Sequence, residues 1–153
     1  MTDTPALTDP RLENLEHEVV RHGTVSSLEE AATARGVAPG QVIKTMVVRR
    51  GADDYLFVLV PGDQNISWPK LRGHLAVNRI SMPDADEAKS VTGYERGTIT
   101  PFGSTRAWPV LADRSLTGVV SIGAGAPGVS LTVDAESLIE TLQATVADIT
   151  DPV

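Results

Sequence analysis

A chain of 153 residues with 41% hydrophobic content is expected to form one domain, and its 4% aromatic content makes the core aliphatic. The absence of cysteine excludes disulfides, thiolate metal sites and a cysteine nucleophile. A net charge of −7 argues against an unaided grip on a long stretch of nucleic acid, with DNA not an expected partner. No apolar run reaches membrane-spanning length or forms a signal peptide, so the protein reads as cytoplasmic with no membrane partner.

In chain order, residues 1–9 are expected to fray. Leu12, Leu15 and Val19 fall at i, i+3 and i+7, which predicts a first helix broken at residues 22–24. Ser27 and Glu30 form a capping-box pattern for a second helix that should stop at Gly36. Residues 43–49 alternate and are β-branched. After a turn containing Asp53 and Asp54, residues 55–60 are apolar on both faces, so the pair reads as a hairpin with a buried second strand. Ser67 can cap a short helix through Leu75, residues 77–80 read as a short strand, and Asp84 can cap a helix closed by Gly93. Residues 110–112, 119–122 and 129–133 read as strands. Asp134 caps a last helix carrying Leu138, Ile139 and Leu142, and residues 150–153 should fray. Helices interleaved with hairpins predict an α/β (α+β) fold with a mixed sheet.

Residues 92–103, Thr-Gly-Tyr-Glu-Arg-Gly-Thr-Ile-Thr-Pro-Phe-Gly, are too broken for a helix or strand. Such a run can aim several backbone N–H groups at one oxygen, or can be a plain surface turn. Gly123 to Gly128 satisfies G-x-G-x-x-G, but a strand pattern follows it instead of a helix, which favours a hairpin turn over a dinucleotide site. His17, His22 and His74 lack metal-pair spacing, so neither a metal nor another cofactor is expected. His17 and His74 read as surface residues, and His22 stands at a chain break where a pocket role and a structural role are both open. Asp113, at a strand end, is either a turn aspartate or a group projecting into a site. Lys44 sits within an apolar strand, a position where lysine either snorkels outward or supplies a point charge for a phosphate or carboxylate.

Three stretches resemble the YbaK/prolyl-tRNA synthetase-associated editing domains. They are residues 27–37 with 42–48; residues 92–103, holding a G-x-x-x-P element from Gly97 to Pro101; and residues 109–113 with Gly123-Ala124-Gly125 and Ala147-Asp148-Ile149. The resemblance runs over residues 24–149 and implies a curved, partly barrel-like mixed sheet with outer helices. It implies hydrolysis of mischarged aminoacyl-tRNA, with prolyl-tRNA synthetase as a candidate partner and a small amino acid, alanine or cysteine, removed from proline tRNA. It implies further that Lys44 faces the phosphate or sugar of the tRNA terminal adenosine. The backbone of Gly97, Thr98, Ile99, Thr100 and Pro101 would hold the aminoacyl carbonyl, and Asp113, Gly123 and Gly125 would shape the pocket, with His22 beside it. The ester is activated, so positioning and oxyanion stabilisation suffice, with water as nucleophile. Some family members carry Ser at the position of Gly123, and the segment before Ser27 matches poorly. Arg49, Arg50, Lys70, Arg72 and Arg79 are candidates for a local basic rim. The alternative reading is a non-catalytic pocket protein that binds an aminoacyl-adenosine-like ligand or a synthetase.

Overall fold

A computed structural model describes residues 4–152. Its strands are β1 (His17–Arg21), β2 (Val42–Gly51), β3 (Asp54–Pro61), β4 (Gln64–Ile66), β5 (Val110–Asp113), β6 (Val119–Gly123), β7 (Val129–Asp134), β8 (Thr145–Ala147) and β9 (Thr150–Pro152). Its α-helices are α1 (Leu28–Arg35), α2 (Trp68–Leu75), α3 (Ala85–Thr92) and α4 (Ala135–Leu142). Seven strands form a mixed sheet in the order β1-β7-β6-β2-β3-β5-β8, and β4 pairs with β9 in a second, two-stranded sheet. The β2–β3, β6–β7 and β1–β7 pairs are antiparallel; β2–β6, β3–β5 and β5–β8 are parallel. The α/β class and the mixed sheet agree with the sequence reading.

Strand β3, flanked on both sides by other strands, explains the two-sided core. Successive side chains of a strand point to opposite faces. Tyr55, Phe57 and Leu59 therefore enter one apolar cluster with Ile43, Leu131 and Leu138, while Leu56, Val58 and Val60 enter another with Leu71, Leu111 and Ile149. The expected caps are present. The side chains of Ser27, Ser67, Asp84 and Asp134 accept from the third helical N–H of α1, α2, α3 and α4, and Gly36 and Gly93 close α1 and α3 in the left-handed region. The Ser27 box is only half formed, because the Glu30 carboxylate takes the N–H and hydroxyl of Ser26.

Three local expectations are corrected. The predicted first helix is two 3-10 turns, Pro5–Thr8 and Pro10–Asn14, followed by β1. Leu12 and Leu15 are buried as expected, since i, i+3 spacing suits a 3-10 turn equally. The β-branched pair Val19 and Val20 instead extends the sheet edge along β7. Residues 77–80 form no strand; a single bridge joins Arg49 to Ser81. The ends are not frayed at residues 4–9 and 150–152. Ala6 is fully buried, and β9 is held on β4. Residues 1–3 and 153, also expected to fray, lie outside the described residues.

Candidate active site

Strand β2 and the 92–103 loop meet around a cleft of about 620 Å³, which Lys44, Gly97, Ile99 and Gly123 all line. Positions far apart in sequence converge because β6 pairs in parallel with β2, Ser121 opposite Val42 and Ile122 opposite Ile43, which brings Gly123 beside Lys44. The segment ahead of α3, with Met82 and Pro83, and Met46 on β2 supply apolar walls. A second hollow of about 490 Å³ adjoins the first. It shares Gly97, Gly123, Arg35 and Arg96 with the cleft and adds His22 and Thr98.

The Lys44 ammonium donates to the Gln64 carbonyl at 2.5 Å and lies 3.5 Å from Asn65 Oδ1. Burial pulls it below its ordinary value, opposed by the negative charge of Asp63. An ammonium has three donors, so this anchoring leaves capacity for an incoming oxygen.

Gly97 has φ +90°, a backbone conformation that side-chain-bearing residues resist, while a Cβ there would meet nothing within 4 Å. Glycine is needed here for conformation, not for space. Thr98 N–H is bonded to the Glu95 carbonyl at 3.0 Å, whereas among the described residues nothing accepts from the N–H of Gly97 or Ile99. Thr100 and Pro101, in the same loop, are buried and do not line the cleft.

Tyr94 and the N-terminal turns hold the loop. The Tyr94 hydroxyl donates to the Phe102 carbonyl at 2.7 Å. Burial first, and then the nearby charge of Asp9, push this phenol up to about 12. Asp9 accepts from Gly103 N–H at 2.8 Å, Arg11 donates to the Pro101 carbonyl at 3.1 Å, and Thr4 Oγ1 donates to the Ala124 carbonyl at 2.5 Å. Gly125 does not line the cleft. Its φ is +89°, and a Cβ there would stand 2.6 Å from the Tyr94 ring, so this glycine lets the 123–128 turn close over Tyr94. The turn joins β6 to β7, and no helix follows it, in keeping with the hairpin reading.

Asp113 stands apart from the cleft. It is 2% exposed, and its carboxylate accepts from Ile149 N–H at 3.1 Å, Ser115 N–H at 3.1 Å and the Ser115 hydroxyl. It ties β5 to the chain beyond β8. The strand-end projection read from the sequence is present, but it points at a neighbouring backbone and not at the pocket. His17 lies on β1, and His74 is exposed on α2. Among the described residues no group of three or more His, Asp or Glu could hold a metal ion. Arg49, Arg50, Arg72 and Arg79 do gather round one hollow of about 570 Å³, while Lys70 is held elsewhere by Asp148 and Asp151 at 3.3 and 2.9 Å. Sequence reasoning missed Arg35 and Arg96.

Comparison with known proteins adds four findings. The sequence model of the aminoacyl-tRNA editing domain matches residues 22–141. The proline–tRNA ligase of Bacillus licheniformis is 29% identical over 111 residues, 72% of this chain but 19% of the ligase, so the chain spans about a fifth of that relative's length. An Enterococcus faecalis protein named for Cys-tRNA(Pro) and Cys-tRNA(Cys) deacylation is 25% identical over 126 residues, 81% of this chain and 77% of its own. Among solved structures, one described as a trans-editing enzyme for prolyl-tRNA synthetase superposes with a TM-score of 0.85 at 22% identity, covering 99% of each chain, which shows a shared fold. No helix among the described residues is long and apolar enough to cross a membrane.

Proposed function

This chain belongs to the aminoacyl-tRNA editing domain family, and from that premise we propose that it is a deacylase that hydrolyses the ester between a wrong amino acid and tRNA, with proline tRNA as the carrier. The observation that carries this reading is the convergence of Lys44, Gly97, Ile99 and Gly123 on one cleft with two unengaged backbone N–H groups at its edge.

The chemistry asks little of side chains. An aminoacyl ester is activated, so the site must place the carbonyl, supply donors to the oxyanion and admit water. In the proposed arrangement the N–H groups of Gly97 and Ile99 face the carbonyl oxygen. Lys44 meets the phosphate or sugar of the terminal adenosine, and water attacks along the open side of the cleft. The walls of Met46, Met82 and Pro83 favour a small uncharged side chain, such as that of alanine or cysteine. A Cβ at Gly123 would meet nothing within 4 Å, so serine would fit there, and its absence leaves the cleft wider and less polar at that point. With a net charge of −7, the protein works in the cytoplasm beside a tRNA-holding partner, for which prolyl-tRNA synthetase is the candidate, and the hollow of four arginines is the local landing place for the tRNA.

The test is a deacylation assay over a panel of mischarged tRNAs. Faster amino-acid release from alanyl- or cysteinyl-tRNA(Pro) than from correctly charged prolyl-tRNA(Pro) is expected. Tight binding of these tRNAs with no release would overturn the enzyme reading in favour of a non-catalytic binder.

A further inference from the structure

The second hollow beside the cleft is not used by the chemistry above, and it differs from the cleft in what it adds to the residues the two share. Arg35 and Arg96 line both; where the cleft adds methionines, a proline and Lys44, this hollow adds His22, Thr24 and Thr98, and no carboxylate lines it.

Arg35 ends α1, where a cation is favoured by the helix dipole, and this would be a sufficient account if the side chain were exposed. It is not. Arg35 is partly buried, and its Nη1 reaches only the Ser121 hydroxyl at 3.4 Å. Its Nε is buried with no hydrogen-bond partner among the described residues. Burial pulls the guanidinium below its ordinary value, with no carboxylate to oppose it. The Nε2 of His22 is likewise buried and unpartnered, while its Nδ1 lies 2.8 Å from the Gly23 carbonyl. Arg96 is exposed at the other side of the hollow. A partly desolvated guanidinium without a counter-charge burdens the fold unless a ligand supplies the acceptors. A planar fork of donors matches the oxygens of a phosphodiester.

We propose that this hollow is a phosphodiester subsite in which Arg35 and Arg96 take a backbone phosphate of the single-stranded 3′ end of tRNA, while the aminoacyl adenosine occupies the adjoining cleft. The proposal rests on the editing reading. The two hollows meet at Gly97 and Gly123, so a strand whose last nucleotide lies in one passes directly into the other. The gradation from partly buried Arg35 to exposed Arg96 suits a chain leaving the site; a closed specificity pocket for an acidic side chain would be sealed at both ends.

The experiment uses Arg35→Gln, Arg96→Gln and the double variant with two esters of the same amino acid, alanyl-adenosine and the alanyl-CCA trinucleotide. Only the second carries phosphodiesters. The wild-type preference in kcat/KM for the trinucleotide is expected to fall about tenfold for each substitution. The affinity of the unacylated CCA trinucleotide should fall in parallel, and the slope of its log affinity against log salt should lose about 0.7 for each phosphate contact removed. Melting temperature should stay level or rise in Arg35→Gln, because a desolvated charge is removed. An unaltered preference for the trinucleotide would overturn the proposal and would leave an acidic side chain as the occupant to seek. So would a lower melting temperature with trinucleotide affinity intact. A wild-type protein inactive on both esters would count against the editing reading alone, because trinucleotide binding needs no hydrolysis and still decides the subsite.

Discussion

Lys44 and Asp113 were two charged residues that the sequence singled out for the pocket, and the structure separates them. Lys44 borders the cleft with donor capacity to spare, so Lys44→Ala is expected to lower deacylation about tenfold to a hundredfold, the value of one charge-assisted contact of about 1.5–3 kcal/mol. Its unfolding midpoint should stay close to wild type; normal activity would instead mean that the amine serves only the Gln64 carbonyl. Asp113 is a fastener. Burial alone would raise its carboxyl, but hydrogen bonds from Ser115 and the Ile149 N–H hold it below the ordinary 3.8. A carboxylate lowered on folding adds stability that is fully present above its unfolded value and lost as pH falls through the folded one. Asp113→Asn is therefore expected to cost about 1–3 kcal/mol at pH 7 and to flatten the acid limb of stability below about pH 4, measured by denaturant unfolding across pH, with deacylation per folded molecule preserved. A drop in activity without loss of stability would return Asp113 to the site.

At the scale of elements, the notable result is what holds the glycine loops. The N-terminal turns, expected to be loose as far as Asp9, clasp the 92–103 loop through Asp9 and Arg11 and the 123–128 turn through Thr4. Tyr94 then sits between the two loops, beneath Gly125. Gly125→Ala would force a methyl group against that ring at positive φ, so it should destabilise the protein by about 1–3 kcal/mol and slow deacylation together. A variant with wild-type stability would show that the loops are not packed through Tyr94. Local signals carried the four helix caps, the β2–β3 hairpin and the β6–β7 turn, because each depends on residues within about five positions of one another. The 3-10 turns defeated the periodicity argument, since Leu12 and Leu15 satisfy both geometries. The β4 and β9 strands are three residues each, too short to alternate visibly. Arg35 had no local signal at all. Its position follows from α1 packing beside β2, whose parallel neighbour β6 brings it Ser121, 86 positions away.

For the whole molecule, the site follows from one topological fact. The parallel pairing of β2 with β6 lays the lysine strand beside the glycine turn, and the loop after α3 closes the third side. This could not be derived from composition or spacing; the order of motifs along the chain resembled a family, and the resemblance supplied the convergence that the sheet displays for Lys44, Gly97, Ile99 and Gly123. The most direct test of the account measures single-turnover release of amino acid from mischarged tRNA(Pro) and the unfolding midpoint, on one preparation each of wild type and Gly97→Ala. A backbone oxyanion site predicts rapid release by wild type and a loss of about a hundredfold to a thousandfold in the variant, because residue 97 leaves φ +90° and its N–H turns away, with stability lowered by on the order of 1 kcal/mol. Normal release by a less stable Gly97→Ala protein would contradict it and make the loop a structural turn.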